Sequence, residues 1–319
     1  MKMIVTGLGG PAGTALTRQL HARGVTVLGT DIVDTPTSRL VSEFVIGPRA
    51  DDPAHLPFLR ELAAESGAHL LIPTVQDELP AVAAAAPVLG VPTVISPAGP
   101  VAIAQDKWLT ALLLESVGLP IPRTGTLGSE SWARPPFVVK PRVSRGGRGV
   151  VLVDGDARLP ALTHGDVVQE FAPGTEYSPQ VYRSPRTGRA SVVVLEKTAL
   201  KQGRVGNAAS VERLAPGVAA DVAALAEATA AAIGLVGPLD MDIRRMADGR
   251  PVVLEVNARF GANSEFAPEL VDGVIADHLG HPTEAPSATT PALAAQEPRA
   301  PLPNFGVEGA LYASSGGPR

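Results

Sequence analysis

The feature that most constrains this chain is a predicted β-hairpin across residues 237–262. Two runs of alternating apolar and polar residues flank Asp248-Gly249, a dipeptide typical of tight hairpin turns. A loop made of these two residues fixes the register, because side chains at equal distances from the turn then face each other. On the apolar face, the predicted pairs are Met241 with Val256 and Ile243 with Leu254.

The opposite face of this hairpin carries carboxylates. The same register places Asp242 opposite Glu255 and Asp240 opposite Asn257, with Arg259 further along the face. Carboxylates directly across a ladder repel each other, whereas a divalent cation between them would attract both. Carboxylate and amide oxygens suit a hard ion, so the pattern indicates Mg²⁺, with Mn²⁺ as a substitute. A solvated face with ordinary acidic residues is the alternative, and the hairpin by itself does not decide between them.

Composition limits the classes of function. The chain has 319 residues, 45% hydrophobic and 18% charged, enough to bury a core in two or three subdomains. A net charge of −5 argues against a nucleic-acid partner. The absence of cysteine excludes disulfides, thiolate nucleophiles and zinc–thiolate sites. No signal peptide or membrane span is evident, so we expect a cytoplasmic protein with no membrane partner.

The first third of the sequence alternates predicted strands and helices. The run 3–16 has the pattern of a strand, a Gly-rich turn and a helix. This alternation predicts an open, parallel, doubly wound sheet of the Rossmann-like type. The segments that continue it are strands at 25–31, 44–46, 69–73 and 93–95 and a helix at 53–66.

The Gly-rich turn matches a dinucleotide-binding pattern, G-x-G-x-x-G/A, at Gly7, Gly9 and Ala12, with Asp31 at roughly the expected distance. Use of this turn for a cofactor would make the protein an NAD(P)-dependent oxidoreductase. The same glycines also permit a tight strand-to-helix turn without any ligand, and no group of residues for hydride transfer follows. The oxidoreductase is therefore the less favoured alternative.

A second Gly-rich segment follows a strand that contains a lysine. The strand is predicted at 136–141 and places Lys140 in an apolar run, where an ammonium needs an anionic partner. The loop 144–149 then leads into a strand at 150–153, which predicts a hairpin whose backbone N–H groups can bind phosphates. A loose basic loop is the alternative. The residues predicted to cover phosphates are Gly146, Gly147 and Arg148.

The segment 166–182 is predicted to form two strands joined by a short connection. Glu170 and Phe171 could present backbone polar groups and an apolar ring to a purine, and Glu176 could accept hydrogen bonds from a ribose. Without further information the segment is equally an ordinary β-connection. A Gly- and Asn-containing loop is predicted at 202–207, in a position suited to substrate contact.

Taken in order, these motifs resemble the ATP-grasp superfamily, and most closely its carbamoyl-phosphate-synthase-large-subunit-like branch. The resemblance rests on Lys107, Lys140, the Gly-rich loop, QEF…GTEY and DMDIR…LEVNARFG, and it covers roughly residues 1–275. It implies an α/β and α+β fold with two domains before a Pro- and Ala-rich tail. The implied parts are a pre-ATP-grasp Rossmann-like domain (1–100), an ATP-grasp domain of two α+β subdomains (101–280, with 136–182 as the smaller nucleotide lid) and a poorly ordered tail (281–319).

The resemblance also implies a role for each motif. Two departures from the branch stand out, namely Asp242 where many members carry Gln and Ala258 where they carry Pro. The implied roles are ATP phosphate binding for Lys107, Lys140, Gly146, Gly147 and Arg148, adenine binding for Gln169, Glu170 and Phe171, ribose binding for Glu176, Mg²⁺ binding for Asp242, Glu255 and Asn257, and stabilisation of the transferring phosphoryl group for Arg259, with Lys140 as a second catalytic residue.

The chemistry implied by the resemblance is ATP- and Mg²⁺-dependent ligation of a carboxylate to an amine or a thiol. The reaction would pass through an acyl phosphate and release ADP and phosphate. The expected partners are small-molecule carboxylates and amines, and a homodimer is the expected assembly. A non-catalytic ATP-binding protein of the same fold is the alternative, because the tail is short for the family. Loosely predicted substrate contacts, whose charge favours an anionic substrate, are Arg183, Glu196, Lys197, Lys201 and Arg204.

Overall fold

The computed structural model describes residues 1–155 and 160–280. Its amino-terminal part is a four-stranded parallel sheet in the order β3–β2–β1–β4. The edge strand β3 is mostly exposed, whereas the other three strands are buried on both faces, as expected for strands rich in Val, Ile and Leu. The strands are β1 (Lys2–Thr6), β2 (Thr26–Asp31), β3 (Glu43–Ile46) and β4 (Leu70–Ile72).

Helices cover the two faces of this sheet. Leu16 of α1 packs in the same core as Met3, whereas Leu59 of α2 packs on the other face with Ile4. The predicted doubly wound architecture is therefore present. The helices of this part are α1 (Pro11–His21), α2 (His55–Ser66) and α3 (Leu79–Ala85), with 3₁₀ turns at Pro36–Leu40, Gln76–Glu78 and Ala86–Val88. The next two helices, α4 (Ala98–Gln105) and α5 (Lys107–Ser116), pack in the core of the largest sheet.

The strand predicted at 93–95 is reduced to a single parallel bridge between Thr93 and Leu71. Pro92 precedes the bridge and lacks a backbone N–H, and the Ser96 hydroxyl donates to the carbonyl of Val236 at 2.7 Å. These neighbours end the sheet pairing after one residue, although the apolar pattern of the segment is that of a strand.

An antiparallel four-stranded sheet follows, in the order β5–β8–β6–β7. Phe137, Val139, Val153 and Val168 form its small core. The strand–loop–strand predicted around Lys140 is the β6–β7 hairpin of this sheet. The strands are β5 (Thr124–Gly125), β6 (Phe137–Pro141), β7 (Val151–Val153) and β8 (Asp166–Glu170).

The largest sheet has seven strands, with β14 paired to β9, β10 and β15. The helix α6 (Ala220–Ile233) covers it and ends at Gly234, which adopts the left-handed conformation favoured at helix ends. The helix α7 (Glu269–Leu279) follows the 3₁₀ turn Ser264–Phe266. The strands are β9 (Glu176–Tyr177), β10 (Gln180–Arg183), β11 (Ala190–Val193), β12 (Leu195–Gln202), β13 (Val205–Arg213), β14 (Gly237–Arg245) and β15 (Pro251–Asn257).

The loop predicted at 202–207 is wrong, because β12 and β13 form a long antiparallel hairpin with two residues between the strands. Most side chains of β13 are exposed or half-buried, so the segment lacks the apolar alternation that signals a strand. Backbone hydrogen bonds between the two strands form the hairpin even though the sequence shows no strand pattern there.

One hydrophobic core joins the amino-terminal sheet to the largest sheet. Met3 and Leu16 share this core with Tyr182, Phe260 and Val271. Residues 1–280 lie within one compact unit. The domain boundaries at residues 100 and 280 remain predictions, and the predicted tail 281–319 lies outside the described residues.

Candidate active site

The hairpin of β14 and β15 positions the acidic face. Asp242 pairs with Glu255 and Asp240 pairs with Asn257, in the register expected from the sequence. The turn is longer than predicted, because the Met246 N–H donates to the Arg250 carbonyl and leaves three residues between them. Close to the turn the register is therefore displaced by one residue.

A β-bulge at Leu254 restores the register before the acidic residues begin. Ile243 pairs with Val253, so the predicted pairing of Ile243 with Leu254 is wrong. The extra residue in β15 compensates for the extra residue in the turn. The bulge also leaves the Leu254 carbonyl free to accept a hydrogen bond from Lys140 Nζ at 3.0 Å.

A cavity of about 320 Å³ lies over this face, between the hairpin and strands β6 and β8. Most of the predicted site residues line it, whereas Lys107 and Arg148 do not. Among the loosely predicted substrate contacts, Lys197 and Lys201 also line it. The predicted residues in the lining are Lys140, Gly146, Gly147, Gln169, Glu170, Phe171, Glu176, Asp242, Glu255, Asn257 and Arg259.

Lys140 is a buried ammonium whose hydrogen-bond partners are neutral. Its Nζ donates to Gln169 Oε1 at 2.8 Å and to the Leu254 carbonyl. Burial lowers the pKa of Lys140 to about 8, and the negative charge of Glu255 opposes this effect. A bound phosphate would supply the full negative charge that these partners lack.

Lys107 begins α5 beside the acidic face. Asp106 caps the helix by accepting from the Trp108 N–H at 2.9 Å and also pairs with Arg142. Lys107 Nζ lies 3.3 Å from Glu255 Oε1 and donates to the Ser144 carbonyl at 3.3 Å. The lysine thus lies between a predicted metal ligand and the Gly-rich loop.

Lys197 on β12 connects the predicted ribose and metal residues. Its Nζ lies 2.6 Å from Glu176 Oε1 and 2.6 Å from Asp242 Oδ1. Burial lowers the pKa of Lys197, but the two carboxylates more than offset this and hold it above its usual range. Burial raises the pKa of Glu176, against the opposing charge of Lys197. Sequence analysis gave Lys197 only as a loose substrate contact, since the closeness of β9, β12 and β14 has no local signal.

Two guanidinium groups lie close to the ring of Phe171. Arg204 is 4.5 Å and Arg244 is 4.9 Å from the ring centroid. Arg244 also donates to Glu176 Oε2 at 3.2 Å. Arg204 pairs with Asp154 of the β6–β7 region. Arg204 therefore contacts the predicted adenine end rather than lining the cavity as a substrate contact.

Arg259 is half-buried at the far end of the acidic face. It donates to the Phe260 carbonyl at 2.7 Å and to Asn257 Oδ1 at 3.3 Å. Burial lowers the pKa of Arg259, and the charges of Asp240, Glu255 and Asp242 oppose this. Asp240 lies beside it and accepts from the side chains of Ser178 and Gln180.

The loop between β6 and β7 is open where it borders the cavity. Gly146, Gly147 and Gly149 have positive φ angles of 65°, 70° and 74°. A Cβ on Gly147 would meet no atom closer than 3.5 Å, the nearest being the Gly206 Cα. Arg145 of the same loop pairs with Asp77. The loop thus offers space and backbone N–H groups, as phosphate binding requires.

The donor set of the acidic face fits a hard divalent cation. Asp242 and Glu255 are directly paired across the ladder, and Asn257 places an amide oxygen on the same face. Within residues 1–155 and 160–280, no group of three or more His, Cys, Asp and Glu side chains has metal-binding geometry. The predicted set has two carboxylates and one amide, and each carboxylate contacts a lysine.

Protein atoms fill the space around the amino-terminal Gly-rich turn. The Gly9 N–H donates to Asp31 Oδ2 at 2.9 Å, so the acid of the dinucleotide pattern is tied to the turn. A Cβ on Gly9 would lie 2.4 Å from the Thr35 side chain, and one on Gly7 would lie 2.6 Å from Val75. The contacts favour a structural turn over a dinucleotide site.

The family model for ATP-grasp domains matches residues 104–263, half of the chain. The chain belongs to the ATP-grasp family. It is 25% identical over 272 residues to the D-alanine–D-alanine ligase of Neisseria meningitidis serogroup B, covering 79% of this chain and 83% of the relative.

Solved structures share this ATP-grasp fold. The L-amino acid ligase from Bacillus licheniformis matches with a TM-score of 0.63 and 21% identity, over 82% of this chain and 68% of that one. The biotin carboxylase domain of the Hydrogenobacter thermophilus 2-oxoglutarate carboxylase, in complex with MgADP and bicarbonate, matches with a TM-score of 0.70 and 14% identity, over 89% and 70% of the two chains.

The predicted superfamily and mixed α/β fold class are confirmed by these matches. Assignment to the carbamoyl-phosphate-synthase-like branch stays a prediction. None of the helices in the described part of the chain has both the length and the hydropathy needed to cross a membrane.

Proposed function

We propose that this ATP-grasp protein joins a small-molecule carboxylate to an amine through an acyl phosphate, using Mg²⁺ and releasing ADP and phosphate. The observation that carries the proposal is one cavity in which Lys140 and the open Gly-rich loop face the oxygen donors of Asp242 and Glu255. Phosphoryl transfer needs this combination, because cations and a metal must together neutralise the phosphate charges.

The nucleotide would lie along β6, β8 and the loop between β6 and β7. Phe171 offers a buried ring for the adenine, and Glu176 offers carboxylate oxygens for the ribose. Lys140 would meet the phosphates and thereby gain the anionic partner that Gln169 and Leu254 cannot supply. MgADP in a structural relative supports this use of the cavity.

Mg²⁺ would be held by Asp242, Glu255 and Asn257, and it would supply Lewis-acid stabilisation of the phosphate oxygens. For this, Lys197 and Lys107 must release the carboxylates that they contact. Lys197, which lines the cavity, would then be free to approach phosphate oxygens there, and Lys107 would be free to do so from its position beside Glu255 and the Gly-rich loop. The ammonium groups are thus placed to exchange a carboxylate partner for a phosphate partner.

The proposed reaction has two displacements. A carboxylate oxygen attacks the γ-phosphorus of ATP, and the bond from that phosphorus to the bridging oxygen breaks as ADP leaves. The amine nitrogen then attacks the carbonyl carbon, the C–O bond to phosphate breaks, and the nitrogen loses a proton. Arg259 is fixed by Phe260 and Asn257, so it can stabilise the developing charge with little reorganisation.

The first test is a thermal-shift titration with ATP and NADH, each with and without Mg²⁺, followed by measurement of ADP release with carboxylates and amines. A ligand that binds the folded state raises the melting temperature. Stabilisation by ATP that requires Mg²⁺, together with substrate-dependent ADP release, is the expected result. Stabilisation by NADH alone would overturn the proposal and return attention to the Gly7 turn.

Two substitutions test the metal face. Asp242→Asn and Glu255→Gln should each lower kcat more than about 100-fold, because each removes a charged ligand while preserving size. Asp248→Asn, at the exposed tip of the same hairpin, is the matched control and should leave kcat unchanged. Unchanged turnover in Asp242→Asn or Glu255→Gln would contradict the metal assignment.

A non-catalytic ATP-binding protein is the second candidate. The observation in its favour is that each predicted metal carboxylate already holds a lysine, Asp242 with Lys197 and Glu255 with Lys107. Under this alternative, ATP would stabilise the protein equally with and without Mg²⁺, and no combination of substrates would release ADP. The thermal-shift titration with and without Mg²⁺ and the measurement of ADP release therefore separate the two candidates.

A further inference from the structure

Arg244 is a buried cation of the cavity that has no role in the proposed reaction. It follows Asp242 by two residues on β14, so the alternation of the strand turns both side chains towards the cavity, and Arg244 lines it. The Arg244 side chain is only 10% exposed. Because burial of a charged group is costly without compensating contacts, the partners of this guanidinium show what it does there.

Three hydrogen bonds fix the orientation of the guanidinium. Arg244 Nε donates to the Gly174 carbonyl at 3.0 Å, and Nη1 donates to the Arg204 carbonyl at 2.7 Å. Nη1 also donates to Glu176 Oε2 at 3.2 Å. These acceptors lie on three elements, namely the connection between β8 and β9, the strand β9 and the turn between β12 and β13. The group is therefore held in place before any ligand binds.

The third nitrogen of the guanidinium remains available to a ligand. Nη2 carries two hydrogens, and no acceptor in the described part of the chain receives them. Arg244 Cζ lies 4.9 Å from the centroid of the Phe171 ring, where the adenine is proposed to bind. The free donors therefore lie at the nucleoside end of the cavity.

Glu176 places acceptors next to these donors. Its Oε1 accepts from Lys197 Nζ at 2.6 Å, and its Oε2 accepts from Arg244 Nη1. Each carboxylate oxygen can accept two hydrogen bonds, so Glu176 retains acceptor capacity while both cations stay in place. Arg244 and Glu176 therefore present a donor and an acceptor side by side in the lining of the cavity.

We infer that Arg244 is a specificity-determining residue for the sugar of the nucleotide, and that its Nη2 donates to a ribose hydroxyl whose own hydrogen goes to Glu176. A hydroxyl is both a donor and an acceptor, so it satisfies both side chains at once, whereas the C–H of a deoxyribose satisfies neither. The site then selects ATP over its deoxy analogues. The inference rests on the proposed function and deepens it, because it adds a donor to the acceptor that Glu176 offers the ribose.

Calorimetric titration with ATP, 2′-deoxy-ATP and 3′-deoxy-ATP in the presence of Mg²⁺ measures this specificity without turnover. In the unmodified protein, one of the two deoxy analogues should bind about 10- to 100-fold more weakly than ATP, as expected for loss of a hydrogen bond to a charged group. In Arg244→Met, this ratio of affinities should fall at least about fivefold, because only the hydrogen bond to Glu176 then remains.

A second variant separates the loss of this contact from a loss of folding. Arg244→Met also removes the donor to the carbonyls of Gly174 and Arg204. Arg244→Lys keeps a positive charge and one donor nitrogen for these acceptors but lacks the second nitrogen of the fork, so it should retain the fold and still show the reduced ratio.

The next residue on the same strand provides the matched control. Arg245 pairs with Asp221, contacts the ring of Tyr177 and is not among the residues that line the cavity. Arg245→Gln should therefore bind ATP and both deoxy analogues with the affinities of the unmodified protein.

Titration with 7-deaza-ATP distinguishes the sugar from the base. This analogue lacks the purine N7, a base acceptor that arginine side chains use. If discrimination against 7-deaza-ATP depended on Arg244 and discrimination against the deoxy analogues did not, Arg244 would contact the base and the inference would be wrong.

Two further results would overturn the inference. One is equal affinity of the unmodified protein for ATP and both deoxy analogues. The other is an equal loss of affinity for all three nucleotides in both Arg244 variants, which would mean that Arg244 only holds the surrounding elements together.

Failure of the proposed function has a different signature. If ATP binds with the expected discrimination but no carboxylate and amine cause ADP release, the ligase proposal fails and the role of Arg244 stands. If ADP is released and the Arg244 variants keep the affinity ratios of the unmodified protein, the role of Arg244 fails alone. Absence of ATP binding would overturn both.

Discussion

The two Gly-rich segments of this protein look alike in sequence and differ in their surroundings. In the amino-terminal turn, a Cβ on Gly13 would lie 2.3 Å from the Gly7 carbonyl oxygen, so glycine makes room for protein atoms. In the loop between β6 and β7, Gly147 has a positive φ of 70°, and a Cβ there would meet its neighbours only at ordinary contact distances of 3.5 Å or more. Glycine thus serves packing in the first segment and backbone accessibility in the second.

The charged groups near the two segments also differ, because one has its partners within the protein and the other lacks a partner of opposite charge. Beside the first, Glu78 accepts from the Thr6 hydroxyl and from the Val75 N–H and contacts His55 at 3.1 Å, so its charge is satisfied. Beside the second, Lys140 has neutral hydrogen-bond partners. A ligand site is recognised by charged groups that have no partner of opposite charge. The glycine pattern does not show whether such groups are nearby.

Among substitutions that test this difference between the two segments, Gly13→Ala should have the largest effect, on the free energy of unfolding. The new Cβ would collide with backbone atoms of Gly7 and Leu8 that cannot move aside, so unfolding should become easier by about 4 kcal/mol. Urea denaturation measures this. The matched control is Gly99→Ala in α4, where a Cβ meets nothing within 4 Å and should stabilise the protein by about 0.5–1 kcal/mol.

The second prediction concerns the pH dependence contributed by Lys140. Its pKa is about 8 in the folded protein against 10.5 when unfolded, so between these values the unfolded chain holds more protons. The stability of the nucleotide-free protein should therefore rise between pH 8 and 10.5, by about 3 kcal/mol from this group. The measurement is denaturant unfolding across this range with Lys140→Met as reference. Equal pH profiles for the two proteins would contradict a buried, unpaired ammonium.

The third prediction tests the open loop. Gly147→Ala strains a left-handed residue and narrows the predicted phosphate path, so ATP affinity should fall about tenfold while stability falls by about 1 kcal/mol. Calorimetric titration and urea denaturation measure the two effects. Gly90→Ala is the control, since Gly90 also has a positive φ and lies away from the cavity. A loss of stability without a loss of ATP affinity would mean that the glycines of this loop, like those of the amino-terminal turn, serve only the folded structure.

The smallest effect is expected at His55. The hydrogen bond that His55 Nε2 donates to the Glu78 carboxylate raises the pKa of His55 above its usual 6.5, although burial opposes this. The resulting stability is fully present below pH 6.5 and is lost as the pH rises through the folded pKa. Compared with His55→Gln, the unmodified protein should be more stable by about 1 kcal/mol at pH 5.5, with the gap closing towards pH 9. A gap that widens with pH would reverse the assigned sign.

Much of the fold could be predicted because strand and helix periodicities are local. The pairing of Asp242 with Glu255 follows from the alternation of β14 and β15 together with a turn placed at Asp248-Gly249. It is correct even though the turn has one more residue than predicted, because the bulge at Leu254 adds one residue to the other strand. Two deviations of equal size and opposite effect are invisible in an alternating pattern.

The parts of the site that sequence analysis missed depend on contacts between distant strands. Lys197 reaches Glu176 and Asp242 because β12 and β14 both flank β9. A pattern within one strand gives the face on which a charge lies, but it cannot give the charge that lies opposite on another element.

The bulge at Leu254 makes the length of an exposed turn matter to a buried lysine. If one residue such as Ala247 were deleted, a two-residue turn could form and the strands could pair without an extra residue. The Leu254 carbonyl would then enter the regular ladder and withdraw from Lys140. Hairpin tips usually accept insertions and deletions. In this chain, a change in the length of the tip would alter the hydrogen bonding of Lys140 in the cavity.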